Sequence, residues 1–325
     1  MTAGEDHTEP GVPQPPHDRE PVIDTHHHLW DSRLDNPPWL HTPPPPAAFQ
    51  GDMTPIWTSY LAADYLRDIA GTGVTRSVYV ECGWAAGQAV AEARWAQSVA
   101  DQHGYPHGIV AYADLADPSL PEHLEALAAI PNVRGIRQTL NWDPDPRYRV
   151  AARVDLMQDP RWLRGMRRLA EHHLHFELSV YPAQMAAAAR ALRGSDTAVV
   201  LNHAGMPLRK DADTLRLWRR GLRALAANQR VIVKLSGLGM FDHAWTVDTV
   251  RPFLTEALEI YGPGRCAFGS NFPVDRLYSG YRRLLEAVRL IIAELSSAEQ
   301  RQVLHDTAAR VYRLVPAGVR PAAGL

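Results

Sequence analysis

The feature that most limits the fold is a repeated alternation. Eight short runs rich in β-branched and aromatic residues recur along the chain, each followed by a stretch of helical character. The runs are VIDTHH (22–27), SVYVEC (77–82), GIVAYADL (108–115), VRGIRQTL (133–140), HFELSVY (175–181), AVVLNHA (198–204), VIVKLSG (231–237) and CAFGSNF (266–272). Most are continuously apolar rather than alternating, which suits parallel strands covered on both faces. The intervening stretches carry helix signals. Leu61, Tyr65 and Ile69 stand four apart before a glycine stop, and Ser296 with Glu299 forms a capping box. Strand then helix, eight times, predicts a single-domain α/β protein of the (β/α)8 TIM-barrel class over residues 21–315. An open doubly wound sheet is the alternative, weakened because no glycine-rich phosphate loop follows any strand.

The 325-residue length is typical of such a barrel, and 46% apolar residues supply a core. A formal net charge of −2 gives no basic field for nucleic acid. No apolar run approaches a membrane span. Cys82 and Cys266 are the two cysteines, read as reduced thiols of a cytoplasmic protein. Residues 1–20 are polar and proline-rich and are expected to be a disordered leader; 316–325 are expected to fray as a C-terminal tail. The partner implied is a small-molecule substrate. Oligomeric state is not legible, and a homodimer is left open.

The connection after the first strand, residues 31 to about 58, contains NPPWLHTPPPPAAF and no helical period. On a barrel it would start at the C-terminal face, where active sites of this fold lie. It is expected to cover a pocket, with Trp39 and Trp57 as apolar wall; a solvated excursion is the plainer alternative.

Within VIDTHHHLWD, alternation along a strand would put Asp24, His26 and His28 on one face and His27 on the other. Two imidazoles at the end of the first strand can converge on a divalent ion at about 2 Å. His27 would then pack or support them.

These residues open an ordered set of motifs. DTHHHLWD, then VRGIRQ at the fourth strand, LNHAGMP at the sixth, VKLSGLGM at the seventh, FGSNFPVD at the eighth and HDTAARVYRL in the last helix resemble the amidohydrolase superfamily. The resemblance is to the amidohydrolase-2 type branch that contains sugar lactonases, and it covers about residues 21–315. It implies a site on the C-terminal face, one divalent metal or none, and attack of water on an ester-like carbonyl. It makes His26, His28 and His203 the candidate metal ligands and catalytic imidazoles, and Arg137 a candidate anchor for a substrate carboxylate. Three neutral nitrogen ligands with one open position suit zinc; a metal-free site, in which the same rings polarise the carbonyl, is the alternative.

The chain departs from the family at the eighth strand, where Asn271 replaces the usual aspartate. A carboxamide takes no proton near neutral pH, though it can orient water or donate to oxygen. Asp275, Glu81 and Glu177 are the candidate replacement bases, with Asp275 and Glu81 ahead; Glu177 also ranks as a substrate-binding candidate. His175 is not expected to join Glu177 as a second ligand from the same strand, and Lys234 reads equally as mouth-facing or as shielded by its own stem. The leading function is hydrolysis of a lactone, or related cyclic ester or amide, of a small carboxylated or hydroxylated molecule. A decarboxylase of the same branch, and a non-hydrolytic or ligand-binding barrel suggested by Asn271, are the alternatives.

Overall fold

The computed structural model describes residues 20–44 and 49–314. The expected leader, apart from Glu20, and the expected tail lie outside the described residues. Eight strands form one parallel sheet in sequence order: β1 (Val22–His27), β2 (Val74–Val80), β3 (Gly108–Tyr112), β4 (Val133–Thr139), β5 (His175–Ser179), β6 (Val199–Leu201), β7 (Val231–Leu235) and β8 (Cys266–Phe268). The circle closes just past the strand ends, where His28 N donates to Phe272 O (2.7 Å) and Asn271 N to His26 O (2.7 Å). The result is a nearly closed (β/α)8 barrel, as the alternation predicts.

The outer layer comprises α1 (Ala62–Ile69), α2 (Ala89–His103), α3 (Leu120–Ala128), α4 (Pro160–Glu171), α5 (Met185–Ala191), α6 (Ala212–Ala226), the short α7 (Leu238–Phe241), α8 (Val247–Tyr261) and α9 (Tyr281–Ile291). α10 (Ser297–Arg301) and α11 (Thr307–Val311) complete it, joined through a π-helical turn. Local chemistry sets the helix starts. Asp159 caps α4 through Arg161 N, Asp211 caps α6 through Thr214 N, and the Ser296–Glu299 box opens α10. No helix among the described residues is long and apolar enough to cross a membrane.

Two cores result. One lies between sheet and helices and takes in Trp162, Trp218 and Trp245. The other fills the barrel interior with Ile23, Val78, Val110, Val200, Ile232 and Ala267, plugged from the N-terminal end by Tyr312. Above this apolar layer the inward residues turn polar: Glu177 on β5 and Lys234 on β7 are both completely buried.

Strict alternation fails on β1. Asp24 lies opposite Ser77 and His27 opposite Tyr79, so three steps on β1 match two on β2. Asp24 therefore does not share a face with His26 and His28. It accepts hydrogen bonds from Tyr65 of α1, Tyr281 of α9 and Ser270, while His27 stacks on Tyr65 at 4.0 Å. Both belong to the layer between barrel and helices, where Asp24 ties β1 to the segment after β8.

Candidate active site

Three imidazoles meet at the C-terminal mouth. The His26 ring centroid lies 4.5 Å from that of His203 and 5.1 Å from that of His28. His26 and His28 arrive from β1. His203 arrives from a turn after β6 whose backbone is left-handed at His203, Ala204 and Met206 (φ 52°, 48° and 50°), a conformation that non-glycine residues hold only where their surroundings enforce it. Gly237, after β7, passes so close that a Cβ there would lie 2.7 Å from His203 Nδ1.

Each ring is oriented by one bond. His28 Nδ1 lies 2.8 Å from Val80 O, which only accepts, so Nδ1 carries the hydrogen and Nε2 keeps its lone pair. His26 Nδ1 lies 3.2 Å from Lys234 Nζ, and its Nε2 is buried with no partner among the described residues. His203 Nδ1 pairs with Ser236 Oγ at 2.9 Å. Burial keeps all three neutral, assisted by the cations Lys234 and Arg137; His28 is pushed down to about 3, His26 and His203 well below the usual range.

Over this cluster lies a cavity of about 380 Å³, of the size that takes a small molecule. Its polar floor includes His28, His203, Glu81, Arg137, Asn141 and Asn271. Its apolar wall comes largely from the long β1–α1 connection. Trp30, Trp39 and Trp57 meet edge to face at 5.0 and 4.7 Å, with Met53 and Phe49 beside them. Trp39 Nε1 is held by Cys82 O and Trp57 Nε1 by Thr42 O.

Arg137 projects from β4 and grips Glu81, its Nε 2.6 Å from Oε1 and its Nη2 2.6 Å from the Glu81 carbonyl. Gly83 N donates to the other carboxylate oxygen. Both charges border the cavity. Asn271 also borders it, in left-handed backbone (φ 57°), and its side-chain amide faces Asp275, whose carboxylate form it favours. Asp275 and Glu177 do not reach the cavity wall. Asp275 is buried behind Asn271, accepting from Gly239 N, and burial raises its carboxyl to about 7. Glu177 lies beneath the imidazoles.

Sequence reasoning missed the layer below. Lys234 Nζ is 2.7 Å from Glu177 Oε2, close enough for a strong ion pair though not aligned as a hydrogen bond. Tyr312 OH donates to Glu177 Oε1 at 2.6 Å, and His175 Nε2 lies 3.3 Å from the same oxygen. His175 and Glu177 are two apart and face the interior together, as alternation along a strand places them. Gly135 makes room for His175; a Cβ there would sit 2.3 Å from Nε2. A lysine inside an otherwise apolar strand, in phase with Ile232 and Ser236, was the available signal.

The three imidazoles do not form a ligand set as they stand. His26 Nδ1 faces Lys234 Nζ, and among the described residues no carboxylate joins the rings. Among the described residues no group of three or more His, Cys, Asp or Glu is placed to hold an ion.

A parallel eight-stranded barrel with histidines at its C-terminal mouth and an aromatic-walled cavity above them defines a class of barrel proteins with one site at that mouth. Within that class the chain belongs to the amidohydrolase family, whose model matches residues 23–314. It is 36% identical to uncharacterized protein y4mH of Sinorhizobium fredii over 90% of this chain and 98% of that one. It is 30% identical to an L-fucono-1,5-lactonase of Burkholderia multivorans, over 90% of this chain and 96% of the lactonase. A crystal structure of a Burkholderia multivorans amidohydrolase with bound zinc superposes with a TM-score of 0.76 at 27% identity, covering 91% of this chain and all of the other.

Proposed function

We propose that the protein hydrolyses a lactone, or related cyclic ester, of a small carboxylated or hydroxylated molecule. The observation that carries this reading is the set of polar groups on one cavity floor: an amide, an arginine, a histidine lone pair and a carboxylate. The likeness to a sugar lactonase supports it. The carbonyl oxygen lies against Arg137 and the Asn271 amide, donors placed before the oxyanion develops. The His28 Nε2 lone pair orients the attacking water. Glu81, whose carboxylate borders the same cavity, accepts the proton. Water oxygen bonds to the carbonyl carbon, the ring C–O bond breaks, and the proton moves by way of Glu81 to the released alkoxide. Trp39 and Trp57 pack the apolar face of the ring.

The test is acid release from a panel of sugar and aromatic lactones. Asn271→Leu and Glu81→Gln are each expected to lower kcat by about a hundredfold. Turnover unchanged in both would overturn the residue roles. Release of carbon dioxide in place of titratable acid would overturn hydrolysis in favour of decarboxylation.

A further inference from the structure

Lys234 and Glu177 are a fully buried ion pair that the proposed turnover does not use. Such a pair is costly to desolvate, and each end here is held from several elements. Glu177 on β5 is fixed by Tyr312 and His175, and Lys234 on β7 lies 5.5 Å from the centroid of the Tyr312 ring. The 2.7 Å approach of Nζ to Oε2, with the Tyr312 hydroxyl donating to Oε1, is the geometry of an ammonium facing a carboxylate.

An ammonium has hydrogens and no lone pair, so toward His26 Nδ1, 3.2 Å away, it can only donate. That leaves the imidazole hydrogen on Nε2, the buried nitrogen without a partner among the described residues. A divalent ion needs the reverse, a bare Nε2 with the hydrogen on Nδ1, which would set donor against donor. A dication in the cluster would also face the ammonium across a low-dielectric interior. We propose that Lys234 fixes His26 as a hydrogen-bond donor and thereby keeps a divalent ion off the histidine cluster, its own charge standing where a metal's would. Lys234 is on this reading a positioning residue. The inference goes beyond the proposed turnover, because it holds whichever carbonyl compound the cavity accepts.

Zinc chloride titration of the chelator-stripped, full-length protein tests it without any substrate. Lys234→Met with Glu177→Gln removes both charges and strands neither. This double variant is expected to bind one zinc per chain at least about a hundredfold more tightly than wild type, and adding His26→Ala is expected to abolish the gain. Equal, stoichiometric binding by wild type and double variant overturns the proposal, as does binding by neither. Nitrogen-15 spectra of the wild-type histidines keep the test independent of how the variants fold. A His26 hydrogen on Nε2 is expected, and a neutral ring with its hydrogen on Nδ1 overturns it.

Discussion

Asp275 shows how one side chain can be near the chemistry and yet report on stability. Its carboxyl is fully buried, and burial raises it from 3.8 to about 7. Between those values the folded state holds a proton that the unfolded chain has released. The favourable contribution of Asp275 is therefore complete below about pH 4 and is lost as pH rises through 7. Asp275→Asn removes the titration and keeps an oxygen for Gly239 N. Relative to wild type, the melting temperature of the variant is expected to be lower at pH 4 than at pH 8, the difference growing between them in favour of the variant. A melting-temperature difference that stays constant between the two pH values would contradict this. The same burial explains why Glu81, and not Asp275, is given the proton in the proposed reaction: Glu81 borders the cavity and Asp275 does not.

At the scale of elements, the strand and helix pattern was legible because it rests on local periodicity, and the order of the eight strands followed from it. The convergence of His26, His28 and His203 came from the motifs together with strand order. What escaped was non-local. The extra residue on β1 turns Asp24 away from His26, and nothing within DTHHH itself records it, since the partner strand β2 sets the register. The Lys234–Glu177 pair was hidden because each residue alone reads as a solitary charge on a strand. Met206, Met240 and Asn141 enter the cavity from loops whose paths depend on contacts elsewhere. The β1–α1 connection is intermediate: its tryptophans are plain in the sequence, their edge-to-face ladder is not. Since Trp39 packs the cavity wall and has no role in proton transfer, Trp39→Ala is expected to raise KM about tenfold while kcat changes less than about threefold. Steady-state kinetics on the best lactone of the panel checks this. A fall in kcat with unchanged KM would instead place Trp39 at the reacting centre.

For the whole molecule, the barrel divides labour along its axis. An apolar layer plugged by Tyr312 holds the strands at one end. A buried charge pair in the middle orients the imidazole above it, and an aromatic-walled cavity with a polar floor opens at the other end. This arrangement places fixed dipoles and charges beneath a site that can take a small polar ring, and water attack at its carbonyl is the reaction that these groups serve together. Turnover of the best lactone in oxygen-18 water, with the product read by mass spectrometry, tests that claim most directly. One heavy oxygen is expected in the new carboxylate and none in the freed hydroxyl, with the incorporation rate falling in Asn271→Leu. Label in the hydroxyl, or carbon dioxide as the product, would contradict it.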